Sequence, residues 1–199
     1  MKLKSIAAAA IAIAASGATL QPLISNATAP EAATATASSK RLKDFNSTAL
    51  SSHNSLRAAH GAPAMTQDST LVAKAQEWSN SMAASGNFSH SSSSFRNGAG
   101  ENLYVFYTTG NAPGDAVASK AVQSWYDEIK DYNFSAPGFS SATGHFTQVV
   151  WKSSTRLGCG MAQGTKTISG TQYKAYYVTC QYGPAGNVQG QFPANVLPK

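Results

Sequence analysis

The sequence predicts a single α+β domain in which helices cover a central antiparallel sheet. Three observations lead to this prediction. The chain has 199 residues, 42% hydrophobic and only 12% charged, which suffices for one sizeable core and argues against a highly charged disordered chain. Apolar residues recur with helical spacing through the middle of the chain. In the last third, β-branched and aromatic residues alternate instead.

The first 40 residues are expected to lie outside that domain. A short basic start precedes an apolar run over residues 5–15, and small residues follow it. This order is typical of a secretory signal peptide, and the run is too short to span a bilayer as a helix, so we assign residues 1–18 to a signal peptide. Residues 19–40, rich in Ala, Thr and Ser, lack apolar periodicity and are expected to form a disordered spacer. The folded domain then comprises residues 41–199.

Three helices are expected in the domain, and their apolar stripes are interpreted as core. The first runs over about 43–60 and ends before a glycine and a proline. The second follows a cap at Asp68 and runs to residue 85, where a glycine stops it. The third is capped by Asp115 and runs to about residue 132.

The sheet is expected from three strands that follow these helices. The first covers residues 145–151, and the next two cover 157–162 and 173–180 around a glycine-containing turn. Cys159 and Cys180 would then lie on facing strands, which suits a bridge at the base of the hairpin.

Secretion makes the two cysteines interpretable. In an oxidising compartment Cys159 and Cys180 are most simply one disulfide, and a disulfide-dense miniprotein or a four-thiolate zinc site is excluded. The sequons that secretion would open to glycosylation begin at Asn26, Asn46, Asn87 and Asn133.

The charge balance narrows the range of partners. The formal net charge is +6, from 15 Lys and Arg against 9 Asp and Glu, and loss of Lys2 and Lys4 with the signal peptide would lower it by two. The remaining cations are spread singly along the chain, so we expect no nucleic-acid partner. Weak attraction to an anionic cell wall or membrane surface stays open.

Ionisable residues are scarce, so those near turns and buried faces are informative. The chain has four His in all. His53 and His60 lie on the first helix with no metal-binding partner at helical spacing, and are interpreted as structural. The other two histidines and two carboxylates are the candidate site residues: His90, Glu101, Glu128 and His145.

Each of these four residues has a suggestive setting. His90 lies in a Ser-rich loop, and Glu101 follows a Gly-Ala-Gly stretch whose backbone can approach another group closely. Glu128 falls near the buried face of the third helix, where a carboxylate needs a partner, and His145 opens the first strand. Two imidazoles and two carboxylates suit a divalent metal or acid–base chemistry, although their spacing matches no helical metal motif.

Aromatic residues form a second candidate site. Tyr104, Phe106 and Tyr107 directly follow Glu101, and a loop with three rings suits an apolar ligand, with ordinary strand packing as the alternative. The sequence lacks a Gly-x-Ser-x-Gly nucleophile elbow, and no glycine-rich phosphate loop precedes the third helix. A serine-nucleophile enzyme and a nucleotide site are therefore disfavoured.

The same residues carry a family resemblance. Residues 144–154 and 177–188 resemble the two signatures of the CAP superfamily, the cysteine-rich secretory, antigen 5 and pathogenesis-related 1 proteins. Three further motifs match in order: His53-Asn54-x-x-Arg57, Gly100-Glu101-Asn102-Leu103 and Trp125-Tyr126-x-Glu128. The resemblance covers about residues 41–198, and within the superfamily the chain resembles a fungal-type secreted pathogenesis-related 1 protein.

The resemblance implies a fold, a site and a ligand class. The family folds as a three-layer α-β-α sandwich with a central antiparallel sheet, and its cleft holds two His and two acids, which match the four candidate residues here. In some members the two histidines, here His90 and His145, take a divalent cation, often zinc. Fungal and plant secreted members bind sterols, and some members bind fatty acids, through an aromatic loop, here matched to Tyr104, Phe106 and Tyr107, or through a groove between helices.

Three functions are weighed on this basis. The first is a secreted protein that binds and exports a sterol or a fatty acid, which suits a chain with few charges. The second is a wall- or receptor-binding secreted effector whose cleft is structural. The third is a metal-dependent hydrolase or protease, for which the sequence offers acids and imidazoles but no visible nucleophile. Enzymatic activity is the less expected outcome.

Overall fold

The computed structural model describes residues 29–199 and contains six α-helices, one 3₁₀ helix and four strands in that range. The predicted signal peptide lies outside the described residues, as does the sequon at Asn26. The helices are α1 (Ala29–Ala58), α2 (Ser69–Ser85), α3 (Ser93–Arg96), α4 (Gly114–Tyr126), α5 (Gly144–Val150) and α6 (Phe192–Asn195). The strands are β1 (Thr66–Gln67), β2 (Gly100–Thr108), β3 (Arg156–Ile168) and β4 (Thr171–Gly183), and the 3₁₀ helix Asp127–Asp131 follows α4.

The four strands form one sheet in the order β1-β3-β4-β2. β3 and β4 form a long antiparallel hairpin, and β2 pairs antiparallel with the other side of β4. The two-residue strand β1 pairs parallel to β3, so the sheet is antiparallel except at this edge. Cys159 lies directly opposite Cys180 in this register, and the two form the predicted disulfide.

The layers on the two faces of the sheet make the fold an α-β-α sandwich, as predicted. Helix α2 packs on one face against β3 and β4, whereas α1, α4 and α5 pack together on the other face. The α2 face depends on glycines in β3 that sequence analysis did not single out. A Cβ on Gly158, Gly160 or Gly164 would lie within 2.1–2.7 Å of the α2 backbone, so these positions let the helix approach the sheet closely.

The second predicted helix is confirmed, and the other two differ at their ends. The Asp68 carboxylate caps α2, and Gly86 ends it in the left-handed conformation. Helix α1 begins at Ala29, so part of the predicted disordered spacer is helical; its alanines favour helix even without an apolar stripe. The predicted cap Asp115 lies inside the first turn of α4, whose N-cap is Pro113, and a 3₁₀ turn replaces the expected last α-helical turn.

The predicted strand over residues 145–151 is wrong, because this segment is helix α5. Its β-branched residues favour a strand only in a suitable packing environment. Here the amides of His145 and Phe146, which a helix start leaves without partners, donate to the Glu128 carboxylate. Five of the seven residues of α5 are buried, so the helix is covered on several sides and shows no simple periodicity.

The other two predicted strands are confirmed and are longer than expected. The structure extends them through most of the predicted turn, which closes at Ser169 and Gly170, both with positive φ. No helix within residues 29–199 has the length and apolarity required to cross a membrane.

Candidate functional site

The first half of the candidate site is a pair formed by His90 and Glu101. Glu101, at the start of β2, has a side chain only 1% exposed, whereas that of His90 is 56% exposed on its loop. The imidazole Nδ1 of His90 lies 2.8 Å from Oε1 of Glu101. The backbone amide of Ser91 donates to the same oxygen at 3.0 Å, and the Ser91 hydroxyl donates to Oε2 at 2.6 Å.

These donors keep the buried Glu101 carboxylate ionised. Burial by itself raises the pKa of Glu101, but the hydrogen bonds from His90 and Ser91 outweigh it and leave the pKa below its ordinary value. Gln181 of β4 donates to Oε2 at 3.3 Å, and the Arg96 guanidinium lies 3.7 Å from Oε1. The carboxylate is therefore a fixed negative charge that orients the His90 ring.

The second half is a pair formed by Glu128 and His145. Glu128 lies in the 3₁₀ helix, and its Oε1 is 2.7 Å from Nδ1 of His145. Its Oε2 accepts the backbone amides of His145 and Phe146 at 3.0 and 3.1 Å. One carboxylate thus holds both the ring of His145 and the first turn of α5. The ring of Trp125 stacks on the imidazole, with centroids 6.3 Å apart and planes inclined by 22°.

The two pairs are connected through the start of strand β2. Side chains alternate along a strand, so Glu101 lies on the α2 face of the sheet and Asn102 on the opposite face. The Asn102 amide donates to the backbone oxygen of His145 at 3.1 Å, which ties the second pair to the strand that carries the first. Within residues 29–199, no three His, Cys, Asp or Glu side chains come together closely enough to hold a metal ion.

The two histidines nevertheless have the chemistry of cation ligands. A carboxylate can only accept, so Nδ1 of His90 and of His145 each carries the proton, and in the neutral ring Nε2 carries the lone pair. A carboxylate that fixes the tautomer and orientation of an imidazole is the usual support of a zinc-bound histidine. The donor set fits a cation held by two imidazoles, with other ligands from solvent, rather than a closed structural zinc site.

The prediction of a loop for the aromatic segment is wrong, because the segment lies within strand β2. Tyr104 and Phe106 pack toward the core between the sheet and helices α1 and α4, whereas Tyr107 packs on the α2 face. The alternation of the strand therefore divides the three rings between the two faces, and they do not line one pocket. Ordinary strand packing, the alternative considered for this segment, accounts for its pattern.

Two cavities adjoin helix α4, and Lys120 and Gln123 line both. One, of about 490 Å³, is the groove between α1 and α4, where Leu56 and Val122 are the apolar members. The other, of about 470 Å³, is lined by Tyr104 and by polar and charged residues of α4 and the 3₁₀ helix, including Glu128. Polar residues predominate in both linings, but the groove also has two aliphatic side chains, so it suits an apolar chain better than the second cavity does.

The remaining histidines have the structural role expected of them. His53 in α1 and His60 just after its end are buried, and each bonds a backbone carbonyl through Nδ1 and a tyrosine hydroxyl through Nε2. Three residues that contact the two pairs were not predicted to act at the site: Ser91, Asn102 and Gln181. Ser91 adjoins His90 and Asn102 adjoins Glu101, so adjacency was the available signal for both, whereas Gln181 lies in the second signature.

The predicted glycosylation sites differ in exposure to solvent. Asn46 is buried, and its side-chain amide bonds the carbonyl and the amide of Cys159 at 2.8 and 2.9 Å. A glycan there would break these contacts, so the expectation of glycosylation at Asn46 is corrected. Asn87 and Asn133 are exposed, and glycosylation at both stays a prediction.

Comparison with known proteins gives consistent matches. Residues 50–182 match the family described as the cysteine-rich secretory protein family, CAP. Golgi-associated plant pathogenesis-related protein 1 of Homo sapiens is 39% identical over 158 residues, which are 78% of this chain and 94% of the relative. Secreted protein RBT4 of Candida albicans is 40% identical over 177 residues, 84% of this chain and 45% of the relative.

A second yeast relative and two solved structures extend the comparison. Protein PRY2 of Saccharomyces cerevisiae is 40% identical over 157 residues, 78% of this chain and 42% of the relative, so the chain spans less than half the length of either yeast protein. A crystal structure described as NaASP2 with Zn²⁺ has a TM-score of 0.58 at 26% identity, covering 78% of this chain and 86% of that one. The crystal structure of Na-ASP-1, at 24% identity and a TM-score of 0.58, covers 77% of this chain and 42% of that one and shows the fold alone.

Proposed function

The chain belongs to the cysteine-rich secretory protein (CAP) family, and from this premise we propose that it is a secreted protein that binds a sterol or a fatty acid outside the cell. The observation that carries the proposal is the groove between α1 and α4. Its volume of about 490 Å³ falls within the range of sites for small apolar ligands. Secretion is supported by the N-terminal pattern and by a relative named as a secreted protein.

The chemistry of the groove favours an amphiphile with an acidic head. Leu56 and Val122 pack against the main core and form the apolar part of the groove. Serines of both helices line it together with Lys120 and Gln123, and the small serine side chains leave room for an acyl chain. The ammonium of Lys120 lies 4.5 Å from the centre of the Phe106 ring at the boundary between the two cavities, where it would meet a carboxylate. A fatty acid therefore fits the groove better than a ligand without charge.

Two of the three predicted aromatic residues are kept in the proposed lipid site. Tyr104 and Phe106 lie on the side of the sheet that faces α4, next to Lys120, and stay in the proposed lipid site. Tyr107, on the opposite face, does not. A sterol in place of a fatty acid would place its rings in the cavity lined by Tyr104, so the two ligands make different demands on these residues.

Blocking the groove tests the proposal. Ser55 and Ser119 are exposed residues that line it, one on each helix, so Ser55→Trp and Ser119→Trp would fill it. Ser81, exposed on α2 at the other face of the sheet, supplies the matched control Ser81→Trp. The purified chain and its variants are titrated with labelled palmitate and labelled cholesterol. We expect saturable palmitate binding that falls at least tenfold in the two groove variants and is retained in the control.

The outcomes separate the proposed ligands from the alternatives. Loss of cholesterol binding in Tyr104→Ala, with palmitate binding retained, would place the sterol at the second cavity instead of the groove. Absence of saturable binding of both lipids would refute the lipid proposal and favour the wall- or receptor-binding effector. Secretion is tested separately by N-terminal sequencing of protein recovered from the medium of an expressing cell.

We also propose that His90 and His145 take up a divalent cation such as Zn²⁺ through Nε2, supported by the paired carboxylates that orient both rings. When bound, Zn²⁺ would act as a Lewis acid toward a ligand or water molecule. Calorimetric titration of the purified chain with Zn²⁺ tests this. The affinity should fall in both His90→Ala and His145→Ala, and an unchanged affinity in both would exclude this site.

A further inference from the structure

A buried row of hydrogen-bonded side chains connects helix α1 with the backbone of His145. Its members are His53 of α1, Tyr182 of β4 and Asn102 of β2, all at most 1% exposed. Nε2 of His53 lies 2.8 Å from the Tyr182 hydroxyl, which lies 3.1 Å from the side-chain nitrogen of Asn102. The same nitrogen lies 3.1 Å from the backbone oxygen of His145.

The direction of every hydrogen bond in this row is determined. Nδ1 of His53 lies 2.7 Å from the backbone oxygen of Ala49 and must donate to it, which leaves a lone pair on Nε2 of the neutral ring. The Tyr182 hydroxyl therefore donates to His53 and accepts from Asn102, whose amide donates its second proton to His145. Each donor has one acceptor, so a single arrangement satisfies the row, and such buried networks are rigid.

His145 is consequently held at more points than the other proposed cation ligand. Its amide and its ring Nδ1 contact Glu128, its carbonyl contacts Asn102, and its ring face stacks on Trp125. Trp125 in turn donates Nε1 to the carbonyl of Leu103 and lies 6.1 Å from the His53 ring. His90, by contrast, is 56% exposed, and its ring contacts a single carboxylate.

We propose that Tyr182, acting through Asn102, is a positioning residue that fixes His145 in the orientation required to bind a divalent cation. This proposal rests on the cation uptake proposed above. Tyr182 and Asn102 act through the backbone oxygen of His145. Partners that orient a ligand directly contribute about 10- to 100-fold in metal affinity. A residue one step further away is expected to contribute less, roughly three- to tenfold.

The chain supplies a matched control in its other buried histidine. His60 follows the end of α1 at Ala58, and its Nδ1 and Nε2 bond the carbonyl of Leu197 and the hydroxyl of Tyr126 at 2.6 and 2.8 Å. This pair has the same chemistry as His53 with Tyr182, but it leads to the C-terminal segment and not to His145. Tyr126→Phe thus removes an equivalent buried hydroxyl without breaking the row.

The experiment compares Tyr182→Phe and Tyr126→Phe in the full purified chain with two measurements. Zn²⁺ affinity is measured by calorimetry, and the ring-nitrogen chemical shifts of His145 are measured by NMR in the zinc-free protein. In Tyr182→Phe we expect three- to tenfold weaker Zn²⁺ binding and His145 nitrogen shifts that move toward a mixture of the two tautomers. In Tyr126→Phe we expect wild-type affinity and wild-type His145 shifts, even where the protein is less stable.

Two results would overturn the proposal: wild-type Zn²⁺ affinity and unmoved His145 shifts in Tyr182→Phe, or equal losses in both variants, which would indicate general destabilisation. Should Tyr182→Phe not fold, Asn102→Ala removes the donor to His145 and is judged by the same criteria. A wild-type chain that binds no Zn²⁺ would refute the proposed cation uptake, and the zinc-free shifts of His145 would then decide the positioning role alone.

Discussion

Acidification from pH 7 to pH 5 should destabilise the fold through His53. Burial lowers the pKa of His53 to about 4; the hydrogen bond to Ala49 opposes this shift in part, and the nearby Arg57 guanidinium adds a smaller lowering. In the unfolded chain the imidazole has its ordinary pKa of about 6.5. Between these two values the unfolded chain binds a proton that the folded chain does not, so stability is complete above about pH 6.5 and is lost as the pH falls toward 4.

The magnitude follows from the difference between the two pKa values. Each unit corresponds to about 1.4 kcal/mol, so the full interval amounts to about 3 kcal/mol. At pH 5 the unfolded imidazole is almost fully protonated and the folded one almost neutral, which corresponds to a loss of about 2 kcal/mol relative to pH 7. His53 is completely buried, so solvent does not screen this effect.

Urea unfolding at pH 7, 6 and 5, followed by tryptophan fluorescence, measures this loss because Trp125 and Trp151 are buried. The variant His53→Gln should be less stable at pH 7 but should lose about 2 kcal/mol less than the wild type on acidification to pH 5. His60, whose pKa burial also lowers, contributes a slope that both proteins share and that cancels in the comparison. Equal losses in wild type and variant would refute the assignment of the pH dependence to His53.

Three further predictions concern the packing of the domain. Arg57→Met removes a buried guanidinium that donates to four backbone carbonyls. It should lower the free energy of unfolding in urea by about 4 kcal/mol or more. Wild-type stability would show that apolar packing replaces these bonds. Gly160→Ala places a Cβ 2.3 Å from the α2 backbone and should lower the free energy of unfolding by about 3 kcal/mol. Gly138→Ala, whose Cβ would have no atom within 4 Å, should change it by less than about 0.5 kcal/mol. Similar urea midpoints for the two variants would contradict the close packing of α2. The double variant Cys159→Ala, Cys180→Ala removes the disulfide and should lower the free energy of unfolding by about 3 kcal/mol, because the two cysteines are 21 residues apart. A loss below about 1 kcal/mol would mean that the hairpin already closes this loop.

Local sequence patterns predicted the elements whose signals are themselves local. Helix α2 has its cap, its apolar stripe and its terminal glycine within one short segment, and its predicted limits agree with the structure. The β3–β4 hairpin was predicted from alternation, and the disulfide followed from two cysteines on facing strands. The four candidate site residues were identified by type and by motif before any contact between them was known.

Where the prediction failed, a contact distant in the sequence decides the conformation. Residues 145–151 have a strand-like composition, but Glu128 accepts the first amides of the segment and burial on several sides makes it a helix. Tyr104–Tyr107 has the composition of a ligand-binding loop, but its pairing with β4 makes it a strand with rings on both faces. The buried position of Asn46 likewise depends on Cys159, more than a hundred residues away.

The sequence by itself determined the family, the layer architecture, the disulfide and the identity of the two histidines and two acids. Only the tertiary structure decided that these four residues form two separate His–Glu pairs, that both imidazoles present Nε2, and that Tyr107 lies apart from the other rings. It also revealed the row from His53 through Tyr182 to His145. The physical reason is that side-chain types and short-range periodicity are properties of neighbouring residues, whereas hydrogen-bond partners and sheet faces depend on which distant segments pack together.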